Sequence, residues 1–196
     1  MQVLKQVNEL PTPTWNHLEI NGIDIEVPVV EALDAAALEG RFAGATCEPP
    51  VGGAGVEAQA WLEAAAGEVC RVEVPAGEVA DEPIVVDMAR VGRAAFALDV
   101  VVGAGAQASV VLVGNAPVSE ALGTTSGWSV RIAVEQDAKL DLFSVVACDA
   151  PQMLDNVGLV AQKGASVHVK QYVLSAQLSS TGFRCDLVGD GSTLEL

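Results

Sequence analysis

Asp141, His168 and Glu195 follow one another at intervals of 27 residues, and each has a leucine or valine on both sides. Ser109, between Ala108 and Val110, holds the matching place one repeat earlier. In an extended chain neighbouring side chains point to opposite faces, so the aliphatics go to a core and the polar set faces away from it. Adjacent strands lie about 4.8 Å apart, which would bring acid, histidine and acid together as a ladder. Such a ladder can raise the histidine pKa or support a weak metal site, or it can be a solvated polar row with no chemistry of its own.

The other weak metal candidates are Cys148, in the run ACDAP after an apolar stretch, and Cys185. Aligned by the corners of the repeat, Cys185 is level with Asp99, Arg131 and Gly158, which are polar or small, so burial is not required of it. Cys47, Cys70, Cys148 and Cys185 contain no CxxC pair, and their spacing matches no zinc or cluster signature. In a reducing compartment they read as thiols of the core. No catalytic residue is assigned, because GxSxG, HExxH and P-loop motifs are absent. Gly103-Ala104-Gly105 is followed by no helix, so it is not a dinucleotide fingerprint. Glu78, Asp81 and Glu82 beside Pro83 read as a solvated acidic corner.

The elements that carry these residues come from composition and repetition. The chain has 196 residues, 51% hydrophobic, 18% charged and 4% aromatic, so a core of Val, Leu, Ile and Ala is expected and disorder is excluded. A net charge of −16 argues against nucleic acid and anionic membrane as partners. The start has no apolar stretch or cleavage-site pattern, and the uncharged run 100–119 breaks into two Val-rich strands. A cytoplasmic protein is expected.

Residues 1–67 read as an N-terminal arm: an extended stretch over 1–28 punctuated by Pro11, Pro13 and Pro28, a helix from Val29 to Gly40, a Pro-Pro and Gly-Gly linker, and a second short helix over 56–67. From residue 68 the chain repeats. The corners Gly103-Ala104-Gly105, Glu135-Gln136-Asp137, Gln162-Lys163-Gly164 and Gly189-Asp190-Gly191 are each preceded by an apolar run. Each is followed by a small residue (Ala106, Ala138, Ala165, Ser192) and a second alternating run. Ala108, Leu140, Val167 and Leu194 share one register. A unit this short buries its apolar face only by stacking on its neighbours, which predicts a parallel β-helix over 68–196, right-handed by the usual sense of parallel connections.

The opening LPTPTWNHLEING (10–22), the segment VEVPAGEVADEPIVV (72–86) and the closing GFRCDLVGDGSTLEL (182–196) resemble, in this order, stretches of the SufB/SufD family. In the last of these the resemblance rests on Arg184, Asp186, Gly189 and Gly191. It implies a right-handed parallel β-helix and a SufD-like, non-catalytic scaffold subunit of iron–sulfur cluster assembly. Such a subunit pairs with a SufB-like protein and is linked to a SufC-like ATPase. No Cys-x-His-Gly-like motif occurs, so no family metal residue is carried over, and an iron–sulfur cluster is expected only transiently or in a complex.

Family members continue with further coils and a helical region, whereas this sequence closes at Leu196 inside a strand, as a fragment or a short form would. An uncovered coil is expected to associate, as a homodimer or heterodimer. The competing readings are a structural β-helix interaction module without metal and a carbohydrate-active β-helix enzyme. The few aromatics of the repeat region disfavour the enzyme.

Overall fold

The computed structural model describes residues 1–9, 22–33, 41–42, 45–48, 50–115, 122, 125–174 and 178–196. The chain is mainly β, 53% strand and 9% helix, and its body is a parallel β-solenoid. Two five-stranded parallel sheets face one another. The first contains β3 (Cys70–Val74), β5 (Ala95–Val102), β7 (Thr125–Val134), β9 (Gln152–Ala161) and β11 (Leu178–Leu187). The second contains β4 (Ile84–Asp87), β6 (Gln107–Gly114), β8 (Lys139–Val146), β10 (Ser166–Val173) and β12 (Thr193–Glu195). Each coil contributes one strand to each sheet, and the aliphatic ladders meet between them. The expected row Ala108–Leu140–Val167–Leu194 is continuous.

The corners between the sheets are built alike. The amide N–H groups of Ala106, Ala138, Ala165 and Ser192 donate to the carbonyls three residues earlier. The third corner residue, Gly105, Asp137, Gly164 or Gly191, has positive φ, as a type II turn requires. Pro75-Ala76-Gly77 forms a fifth such corner in the first coil. The third-position amides also link coil to coil, Gly105 donating to Gln136 O at 2.8 Å and Asp137 to Lys163 O at 2.9 Å. The small residue after each corner is wholly buried in three coils because it turns straight into the lumen.

The arm covers the first sheet. β1 (Gln2–Val7) and β2 (Ile23–Val27) pair antiparallel. Helix α1 (Val56–Ala66), rich in alanine and ended by Gly67 at φ 74, lays Trp61 and Leu62 on Ala94, Ala95, Ala97 and Leu154. The other described helix, α2, is a single turn, Met88–Val91, capped by the Asp87 carboxylate. β5 and β7 are therefore buried on both faces, whereas β6 and β8 alternate between buried and accessible.

Two expectations change. Residues 29–33 have no helical structure and 41–42 form a turn, so the expected first helix does not begin at Val29; residues 34–40 lie outside the described residues, as do 10–21 of the opening motif. The supposed linker is a strap instead, with Phe42, Ala45 and Cys47 packed on Val101, Ala133 and Val160.

Candidate functional site

The polar ladder of the second sheet is where the repeat places it. Ser109, Asp141, His168 and Glu195 are successive partners across β6, β8, β10 and β12. His168 Nδ1 lies 3.2 Å from Asp141 Oδ1, and Nε2 lies 3.9 Å from Glu195 Oε2. The imidazole is 56% exposed, so water competes for every one of these contacts. Lys139, Ser166 and Gln107 join Asp141 and His168 around an open groove of about 250 Å³. One rung further, the Lys170 ammonium sits 5.5 Å from the centre of the Phe143 ring. Chemically this is a hydrated, mixed-charge surface. Among the described residues no group of three or more His, Cys, Asp or Glu is arranged to hold a metal ion.

The thiols are not brought to that surface. None of the four cysteines forms a disulfide. Cys148 is buried on the turn after β8, and its Sγ accepts from the Ala150 N–H. Cys185 departs from the sequence register by one residue. It pairs with Leu159, and Arg184 is the residue level with Gly158, Arg131 and Asp99. The cause is Val188, an extra residue between the end of β11 and the corner: strand residues are offset by 26 from the coil below, corner residues by 27. The slip turns Cys185 inward onto the core. Burial, with Asp186 adding to it, pushes its pKa up to about 11. Burial likewise raises Cys47 and Cys70. Thiols held protonated are poor ligands. Glu78, Asp81 and Glu82 are exposed.

No protein-family model, curated protein or solved structure matches this chain.

Two buried polar clusters were not singled out by the sequence. The first clamps the arm to the solenoid. Arg41 forks between Asp99 (2.8 and 2.9 Å) and Glu63 (2.6 and 3.2 Å), and Arg131 adds contacts to Asp99 at 3.2 and 3.3 Å. The Phe42 ring lies 5.0 Å from the Arg131 guanidinium. Burial alone would lower the Arg41 pKa, but the bonds and charges of Asp99 and Glu63 outweigh it and hold the group above its ordinary value. Two cations and two carboxylates balance, so the cluster is a structural latch.

The second cluster is inside the lumen. Asp155 has 0% exposure and accepts hydrogen bonds from Trp128 Nε1–H and, at 2.7 Å, from Gln171 Nε2–H. Among the described residues no cation accompanies it, and burial pushes its pKa up to about 6 against the pull of those two donors. Counting back in twos from lumen-facing Ala161 reaches Leu159, Val157 and Asp155, so alternation alone would have exposed a carboxylate on the inner face.

Proposed function

We propose that this chain is a non-catalytic scaffold subunit of an iron–sulfur cluster assembly complex, SufD-like, that pairs with a SufB-like protein and through it with a SufC-like ATPase in the cytoplasm. The observation that supports this reading best is the two-sheet parallel solenoid and the placement in it of the residues on which the resemblance rests. Gly189 and Gly191 frame the last corner, and Arg184 pairs with Asp186 at 3.0 Å on the outer face of β11. Segment 72–86 forms the first coil, with its own corner at Pro75-Ala76-Gly77. Work by a scaffold of this kind is done through surfaces, and any iron or sulfide is held only in passing or across a complex.

The second reading, an interaction module without metal, is favoured by Cys185, which turns inward and is held protonated. Anaerobic co-purification of the 196-residue chain with the SufB-like and SufC-like proteins of its own source, followed by iron and sulfide analysis, tests both. Stable association supports the scaffold subunit, and iron with sulfide on the complex strengthens it. Absence of association under conditions where a longer family member binds removes it and leaves the metal-free module.

A further inference from the structure

Near Asp155 the lumen holds more polar groups than it satisfies. Ser126 Oγ, Ser144 Oγ and Ser179 Oγ are buried and have no hydrogen-bond partner among the described residues. Ser126 and Ser179 flank Met153 in one rung, the rung of Asp155 lies two residues further along the same face, and Ser144 is the strand partner of Gln171. Ser126 and Ser144 are themselves almost wholly buried. All these positions belong to the end of the lumen where the chain crosses back from the second sheet to the first. Buried hydroxyls without partners carry a desolvation cost, which a bound water removes. An apolar lumen would need none of these groups.

We propose that this end of the lumen is a hydrated, proton-exchanging chamber, in which ordered water links the Asp155 carboxyl to the hydroxyls of Ser126, Ser144 and Ser179. Gln171 is the gatepost. Its amide donates inward to Asp155, and the same residue lines a surface recess of about 350 Å³ with Val169, Lys170, Tyr172 and Leu196. Water and protons exchange along that side chain. With the carboxyl neutral, its O–H donates to a chamber water; with the carboxyl ionised, Trp128, Gln171 and that water donate to it. Thr181 of the last coil is the strand partner of Asp155.

Among the described residues no charged group competes for this role. From β7, Arg131 is engaged with Asp99; from β10, Lys170 lies over Phe143 on the outer face; from β11, Arg184 and Asp186 pair with each other outside. On the crossing turn Asp149 is exposed and Cys148 is buried with its sulfur accepting from Ala150. Burial raises the Asp155 pKa, and the neutral donors Trp128 and Gln171 pull against it.

The Trp128 indole N–H is the reporter. In the full chain its NMR signal, assigned with Trp128→Phe, is followed from about pH 4 to about pH 8. The expected result is a single titration with a midpoint near 6, absent in Asp155→Asn, together with water-to-indole cross-relaxation. Replacing Ser126, Ser144 and Ser179 together by Ala removes the water's partners. It should raise the midpoint by about half a unit or more, a roughly threefold gain in proton affinity. An indole signal flat across the range, a midpoint that survives Asp155→Asn, an unmoved midpoint in the triple variant, or no water contact at the indole would each overturn the proposal.

Discussion

Arg131 on β7 stands directly beside Asp99 on β5, and the 3.2 Å contact between Arg131 Nε and Asp99 Oδ1 is closed over by a residue from the arm, Arg41. The clamp joins residues 32 and 58 positions apart, so it ties two coils together and ties both to the arm. A solenoid of identical rungs is otherwise held only by nearest-neighbour contacts. The strap adds contacts across later coils: Thr46 N–H donates to Glu135 at 2.8 Å, and Gly53 N–H donates to Val157 O at 3.1 Å.

Asp99→Ala therefore leaves two guanidiniums buried with one carboxylate. Breaking a buried charged network from one side costs about 3–5 kcal/mol. Urea unfolding of the variant should show a loss of that order, and limited proteolysis should cut the strap before the coils. A loss under about 1 kcal/mol would mean that the arm is held by its apolar contacts alone.

Asp155 gives the molecule a defined response to pH. Its carboxyl ionises near 3.8 in the unfolded chain and near 6 in the folded one. The contribution to stability is thus complete below about pH 4 and is lost as pH rises to about 6, after which the deficit is constant. Two units correspond to about 3 kcal/mol. Asp155→Asn keeps an acceptor for the Trp128 indole and should be about as stable as the parent near pH 4 but more stable by up to about 3 kcal/mol near pH 8. A difference independent of pH would show that the carboxyl is not desolvated in the fold.

The repeat was legible because each corner uses the same few residues and each strand alternates, so period, ladder and the contact of His168 with Asp141 could be read by counting. What counting missed has physical reasons. Val188 is invisible as an insertion because the corners keep the 27-residue spacing while the strand slips, and that is why counting from the corner puts Cys185 level with Arg131. The Arg41 clamp joins a coil to a turn far away in sequence, and no periodicity marks such a pair. Asp155 was hidden in plain alternation, since a carboxylate on an inner face runs against the expectation that charges face water.

Corner glycines differ in what they need. Gly105 has φ 69 and open space where a Cβ would stand, so substitution there meets only the backbone penalty. Gly105→Val should cost about 1–2 kcal/mol and Gly105→Asn distinctly less, because asparagine visits the left-handed region more readily. Asp137 already occupies the same place with φ 58 one coil later. Gly103 is the opposite case. A Cβ there would lie 2.6 Å from the Ala76 nitrogen, a backbone atom of the coil below. Gly103→Ala should exceed the cost of Gly105→Ala, and equal thermal shifts would mean that the first coil yields freely.

The outer ladder should matter little to stability. His168→Ala removes contacts at 3.2 and 3.9 Å between side chains that are all more than half exposed. Exposed pairs contribute about 0–1 kcal/mol, and less in salt. The change in unfolding free energy near neutral pH should stay within about 1 kcal/mol. A larger loss would show that the imidazole has a partner beyond Asp141 and Glu195.

Thiol chemistry gives the last prediction and bears on how the chain can handle iron or sulfide. The thiolate is the reactive and ligating form, and with a pKa pushed up to about 11 Cys185 has well under about 0.1% thiolate near pH 7.5. Cys47 and Cys70 are also raised by burial, and Cys148 is sealed in the crossing turn. Alkylation of the native chain should be slow at all four positions and should accelerate at least tenfold on unfolding, as mass spectrometry of timed aliquots would read. Fast labelling of Cys185 in the native chain would show that the last coil opens readily. It would also restore that thiol as a transient ligand. Protection at all four sites would leave ligation to residues supplied across a complex.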